Sequence, residues 1–249
     1  MSKTALITGA SSGIGRATAR ALDKEGFQLV LCGRREERLK ELQQELTHPS
    51  TVLVFDVSDY GAVKQQLASL SDTFRSIDVL INNAGNAHGL DPAQSASIDD
   101  WDAMIDSNVK GLFYVTKEVL PLMPKKNGGL IINMGSIAAK NGYANGSVYC
   151  ASKAAVDKFT EGLRLDLLAD QIRVAAIHPG LVHTEFSAVR FKGDTEKAAK
   201  VYEGANPLYA EDIAEIIAFM VTRPLHVNLA DVVVMPANQG NAFTLVRQQ

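Results

Sequence analysis

Tyr149 and Lys153 stand four residues apart in Ser147-Val148-Tyr149-Cys150-Ala151-Ser152-Lys153. On a helix, that spacing puts both side chains on one face. An ammonium near a phenol stabilises the phenolate, so such a pair can pass a proton near working pH. Tyr149 would then donate to a carbonyl oxygen in reduction and accept from an alcohol in oxidation. Ser136, in Asn133-Met134-Gly135-Ser136, offers a hydroxyl for the same oxygen if its strand adjoins that helix. Tyr-x-x-x-Lys alone also occurs on ordinary surface helices, so its meaning depends on the rest of the chain.

A second group suits phosphate. Thr8-Gly9-Ala10-Ser11-Ser12-Gly13-Ile14-Gly15 falls between an apolar run and an amphipathic stretch. Gly9 permits a tight turn, and Gly13 and Gly15 allow backbone to approach a pyrophosphate. The free N–H groups of a helix start add partial positive charge there. Enzymes that use NAD usually carry Asp or Glu at the end of the second strand, for the adenosine ribose. This chain has Leu31-Cys32-Gly33-Arg34-Arg35 instead. Guanidinium groups match a phosphate in charge and fork geometry. NADP is therefore expected, with Arg34 on the 2′-phosphate and Arg35 near the adenine. The alternative is that both arginines merely open a solvated helix.

The elements that position these groups follow from hydrophobic pattern. Apolar runs at 4–8, 28–32, 51–55, 79–81, 129–133, 173–177 and 231–235 lack period-two alternation. Strands of that kind are buried on both faces, as in a parallel sheet. Amphipathic stretches at 14–24, 36–46, 60–74, 99–122, 148–169 and 210–221 are expected helices, the fourth breaking near Ser107. The alternation predicts one α/β domain over 1–249. It is a Rossmann fold with a doubly wound, seven-stranded parallel sheet and helices on both faces. Ligands in such sheets bind beyond the carboxyl ends of the strands. Residues 183–207 form a long connection after the sixth strand, expected as a substrate loop or lid. Arg190 within it is a candidate carboxylate ligand, weighed against a solvated arginine.

The 249 residues are 46% hydrophobic and 21% charged, with a formal net charge of −3. This balance predicts a globular protein, with no basic stripe for nucleic acid. No apolar run reaches the length of a membrane span, and the first residues lack signal-peptide organisation. Cys32 and Cys150 read as reduced thiols in a cytoplasm. No histidine falls in a metal-ligand spacing, so no metal is expected. His178 reads as a structural residue at a strand end, and His88 as a candidate neighbour of the pocket.

Taken in order, Thr8–Gly15, Asn82-Asn83-Ala84-Gly85, Asn108-Val109-Lys110-Gly111, Ser136, Tyr149 with Lys153, and Pro179-Gly180 resemble the short-chain dehydrogenases/reductases over essentially the whole chain. The resemblance implies that Tyr149 is the proton donor or acceptor, and that Lys153 binds the nicotinamide ribose and lowers the Tyr149 pKa. It implies that Ser136 polarises the substrate oxygen and Asn108 holds a water of a proton relay. Ser11, Ser12, Ile14, Asp56, Val57, Asn83, Ala84 and Gly85 would line the cofactor. Pro179, Gly180, Val182 and Thr184 would close over the nicotinamide. A homotetramer is also implied.

A narrower resemblance, carried by 99–106, 179–194, His226-Val227-Asn228 and Val234-Met235-Pro236, is to the NADP-dependent 3-hydroxy acid dehydrogenases, which include serine and allo-threonine dehydrogenases. It implies oxidation of the 3-hydroxyl of a short acid. Asn86-Ala87-His88 departs from that subgroup, where the segment is apolar, so the preferred acid stays open. The alternatives are a broad NADPH carbonyl reductase and a non-catalytic NADPH sensor.

Overall fold

The computed structural model describes residues 3–125 and 128–247. Strands β1 (Thr4–Thr8), β2 (Gln28–Gly33), β3 (Ser50–Val54), β4 (Val79–Asn82), β5 (Leu130–Met134) and β6 (Arg173–Pro179) join β9 (Asp231–Val234) in one sheet. Its order is β3-β2-β1-β4-β5-β6-β9, and every pairing is parallel. The winding direction reverses between β1 and β4, which makes that seam the switch point.

Period two divides the central strands between two cores. Ala5, Ile7, Leu29, Leu31, Val79 and Ile81 face one side, packed with Ala19, Leu22, Leu39, Leu42, Ile213 and Ile217. These come from α1 (Gly13–Lys24), α2 (Glu36–Glu45) and α9 (Ala210–Val221). Leu6, Val30, Leu80 and Ile131 face the other side, against Val63, Leu67, Val115, Val119 and Leu163. Those belong to α3 (Tyr60–Ala68), α5 (Leu112–Val119) and α6 (Ser147–Asp166). Both faces are apolar because both are covered, which is why the strands show no alternation in sequence.

Three local expectations are corrected. The helix expected over 60–74 ends at Ala68, and a separate 3₁₀ turn covers Asp72–Phe74. Ser69 Oγ donates to the Gln66 carbonyl at 2.7 Å, and Ser71 is extended, so short polar side chains end the helix there. The helix near 99–122 does not break at Ser107. Helix α4 (Ile98–Ile105) continues through a π-helical segment, Asp106–Gly111, into α5. Ser107 Oγ donates to the Ala103 carbonyl at 2.8 Å within this widened turn. The 183–207 connection is also more ordered than a plain loop. It holds α7 (Phe186–Arg190) and α8 (Thr195–Lys200), and short strands β7 (Val182–His183) and β8 (Leu208–Tyr209) pair in parallel at its ends. No helix among the described residues is long and apolar enough to cross a membrane.

Candidate active site

The seam between β1 and β4 is tied by hydrogen bonds from the residues after β4 to the end of β1. The Thr8 hydroxyl accepts from the N–H groups of Asn83 and Ala84, both at 3.0 Å. Asn83 Nδ2 donates back to the Thr8 carbonyl at 2.9 Å. Gly9 has a φ of 67°, and a Cβ there would lie 2.8 Å from Asn83 Nδ2. A Cβ on Gly15 would run into the Gly9 carbonyl. The turn is thus closed by the Thr8 and Asn83 side chains, and it packs so tightly that Gly9 and Gly15 have no room for a Cβ.

At the end of β2, the two arginines take different places. Arg34 is exposed and pairs with Asp56 at 3.2 Å. Arg35 reaches into the turn, its Nε 3.1 Å from Ser11 Oγ and its Nη2 2.6 Å from Ser12 Oγ. Its Nη1 lies 2.9 Å from Glu185, which also pairs with Arg38 at 2.7 Å. Glu185 thereby connects the start of the 183–207 segment to the start of α2. The two arginines at its carboxylate help to hold its pKa below the usual range, although burial acts against them.

Across the sheet, α6 presents Tyr149 and Lys153 beneath the end of β5. Both are buried. Burial pushes the Tyr149 phenol up to about 12, while the Arg190 charge and the Ser136 hydroxyl pull it down. Burial also pushes the Lys153 ammonium down to about 8. Lys153 Nζ donates to the Met134 carbonyl at 2.9 Å and lies 6.0 Å from the centroid of the Tyr149 ring. A second cation, Arg190, stands nearer to that ring. Its guanidinium carbon stands 5.0 Å from the Tyr149 centroid and 5.2 Å from that of Phe186. Arg190 Nη2 donates to the Tyr143 hydroxyl at 2.9 Å, while its Nε is buried without a hydrogen-bond partner.

One cleft of about 850 Å³ gathers most of the sequence candidates. Gly9, Ser11, Ser12, Gly13, Ile14, Arg34, Arg35, Asp56, Val57, Asn83, Ala84 and Gly85 line it. So do Ser136, Tyr149, Lys153, Pro179, Gly180, Val182, Thr184 and Arg190. Gly15 and Asn108 are not on its wall. Asn108 lies behind it in the π-helical turn, where Oδ1 accepts from the Asn86 N–H and Nδ2 donates to Ser152 Oγ at 3.0 Å. His88 is also on the wall, and burial lowers its pKa.

Tyr143 and Glu185 were not legible as site residues. Tyr143 follows no motif, and Glu185 meets Arg35 across 150 positions of chain. Among the described residues, Asp157, His178 and Asp231 form a group whose ligand-type atoms lie within 4.8 Å of one another. The Lys140 ammonium sits between the two carboxylates, at 3.0 and 2.8 Å, so the chain supplies its own cation there.

Residues 3–195 match the model of the short chain dehydrogenase family. The chain belongs to that family. Among its relatives, an NADP-dependent 3-hydroxy acid dehydrogenase of Salmonella typhi is 48% identical over 238 residues, which are 95% of this chain and 96% of that protein. A serine 3-dehydrogenase of Agrobacterium fabrum is 43% identical over 249 residues, the whole of both chains. The solved closed form of a serine dehydrogenase complexed with NADP+ superimposes with a TM-score of 0.93 at 45% identity, covering 99% of this chain and all of that one. This short-chain dehydrogenase thus shares its architecture with that serine dehydrogenase over nearly its whole length.

Proposed function

We propose that this chain is an NADP-dependent oxidoreductase that reversibly oxidises the 3-hydroxyl of short 3-hydroxy acids. The observation that carries this reading is the convergence of Ser136, Tyr149, Lys153 and Arg190 in one cleft beside the glycine turn. The turn fits a dinucleotide: a Cβ at Gly9 would meet Asn83 and Ala84, and one at Gly15 the Gly9 carbonyl, so this tight turn at the start of α1 tolerates only glycine there. The two arginines fit a phosphate on the adenosine side. The names of the full-length relatives point to the same cofactor and to hydroxy acid substrates.

When bound, the nicotinamide supplies the hydride acceptor for alcohol oxidation. This chain's residues do the remainder. Tyr149 takes the hydroxyl proton, or returns it to the carbonyl in reduction. Ser136 donates a hydrogen bond to the same oxygen. Lys153 holds the ribose hydroxyls, and Asn108 orders the proton path behind it. Pro179, Gly180, Val182 and Thr184 pack along the nicotinamide, with Asp56 and Val57 bordering the adenine. Arg190, with an unspent buried N–H, grips the substrate carboxylate above the Tyr149 ring. Residues 183–207 act as the lid that brings Arg190 there.

A broad carbonyl reductase is the second reading, favoured by the apolar walls that Tyr143 and Phe186 give the pocket. The exposed Val233 on β9 and Met235 just after it leave apolar surface for subunit contacts of a homotetramer, and the two buried free cysteines support a cytoplasmic setting. The deciding experiment measures initial rates of NADP reduction with serine, allo-threonine and 3-hydroxypropionate beside their methyl esters. Free acids are expected to be strongly preferred. Equal or faster rates on the esters would replace this reading with the carbonyl reductase.

A further inference from the structure

His178 lies near the end of β6 and is fully buried, outside the cleft. Its Nδ1 is 3.2 Å from the backbone oxygen of Ser136. Its Nε2 is 2.8 Å from Asp231 Oδ1 and 3.3 Å from Asp157 Oδ1. Lys140 follows the 3₁₀ turn Ile137–Ala139, which Ser136 opens, and pairs with both carboxylates. Asp157 stands four residues after Lys153 on α6, one turn along the same face. Gly135 has no space for a Cβ, because it would meet the His178 ring. The ring is therefore wedged against the peptide that carries Ser136.

We propose that His178 is a positioning residue: it fixes the Ser136 backbone relative to α6, so that Ser136 and Tyr149 address one substrate oxygen. The proposal rests on the reading of Ser136 as substrate-facing. Four elements meet at this ring: the β5 turn through Ser136 and Lys140, α6 through Asp157, β6 through His178, and β9 through Asp231. Nδ1 meets the Ser136 carbonyl in hydrogen-bond geometry, Nε2 stands near both carboxylates without a hydrogen-bond partner among the described residues, and Gly135 closes on the ring. That pins the ring's orientation, which apolar packing alone would not do. Burial, then the Lys140 charge, lower the His178 pKa, while Asp231, Asp157 and the Ser136 carbonyl raise it. Only the His178 ring is fully buried; Lys140, Asp157 and Asp231 close the cluster toward solvent, and together they span the elements that hold the two hydroxyls of the site.

The test compares His178→Asn with His178→Gln. The Asn amide reaches the place of Nδ1 and can still donate to the Ser136 carbonyl. The Gln amide reaches the place of Nε2 and leaves that carbonyl with the Ala139 N–H alone. Small displacements of a reacting group cost rate steeply, so His178→Gln is expected to lower kcat roughly tenfold to a hundredfold. NADPH affinity should stay unchanged and the deuterium isotope effect on hydride transfer should rise. His178→Asn should keep kcat within about threefold of wild type. Equal losses in both variants, or wild-type rates in both, would overturn the proposal. If either fails to fold, Asp231→Asn carries the test from the exposed side of the cluster. A several-fold loss of kcat at unchanged NADPH affinity is expected, and a wild-type kcat overturns the idea. Ser136→Ala, measured alongside, separates the two layers. If it loses kcat while His178→Gln does not, positioning alone fails; if it keeps kcat, the reading of Ser136 falls and takes the proposal with it.

Discussion

The Arg190 guanidinium carbon lies 5.0 Å from the centroid of the Tyr149 ring, closer than the Lys153 ammonium at 6.0 Å. A residue from the 183–207 segment thus places positive charge beside the Tyr149 ring on α6. On the proposed mechanism, substrate binding and proton transfer would share this cation, since a carboxylate engaging Arg190 would also change the field at Tyr149.

Arg190→Ala should therefore separate acids from esters. A charge-assisted hydrogen bond in a buried site is worth about 1.5–3 kcal/mol. The kcat/KM for 3-hydroxy acids should fall roughly tenfold to a hundredfold, and that for their methyl esters much less. Initial-rate kinetics on paired acid and ester substrates measure this. An equal loss on both would make Arg190 a packing residue for Tyr149.

The pH dependence follows from the phenol. Oxidation needs Tyr149 as phenolate, and its pKa is pushed up to about 12, chiefly by burial. The rate of alcohol oxidation should rise through the alkaline range, whereas carbonyl reduction, which needs the protonated phenol, should not rise with it. Arg190 acts to lower that pKa. Arg190→Ala should therefore move the alkaline limb of oxidation to higher pH, read with methyl ester substrates to remove the carboxylate effect.

Much of this was legible because parallel strands buried on both faces leave continuous apolar runs. The glycine turn and Ser136 each follow a strand and Tyr149 stands at the start of a helix, while the joint order of motifs along the chain gave Tyr149 and Lys153 their meaning. The π-helical turn at Asp106–Gly111 was not legible, since its residues are as compatible with an α-helix as with a break. Helices α7 and α8 have only five and six residues, too short for periodicity to register. The Arg35–Glu185 and Arg190–Tyr143 contacts join residues 150 and 47 positions apart, and only the folded chain brings them together.

Lys153 carries a stability cost that a substitution should expose. Its pKa falls from 10.5 to about 8 on burial, so the charged form is penalised in the folded state. That difference corresponds to about 3 kcal/mol. Losing the Met134 contact returns about 1 kcal/mol of it. Lys153→Met should thus be inactive yet more stable than wild type at pH 7, by about 2 kcal/mol. The unfolded chain holds more protons than the folded one between pH 8 and 10.5, so wild type gains stability as pH rises through that window. The advantage of Lys153→Met should shrink accordingly, as urea unfolding at pH 7 and 10 would show. An advantage that does not vary with pH would mean that packing, not charge, sets it.

Arg34 and Arg35 should answer differently to the two nicotinamide cofactors. Arg34 is exposed and bound only to Asp56, so its guanidinium is free to turn toward a 2′-phosphate without disturbing the cradle. Arg35 is engaged with Ser11, Ser12 and Glu185, so its loss loosens the turn and the attachment of the 183–207 segment together. Arg34→Ala should lower NADPH affinity roughly tenfold to a hundredfold and leave NADH affinity near its starting value. Arg35→Ala should weaken both cofactors, because the phosphate cradle serves both. Fluorescence titrations with NADPH and NADH measure the four constants. A loss confined to NADPH in Arg35→Ala, with Arg34→Ala unchanged, would transfer the 2′-phosphate to Arg35 and leave Arg34 as a partner of Asp56 alone.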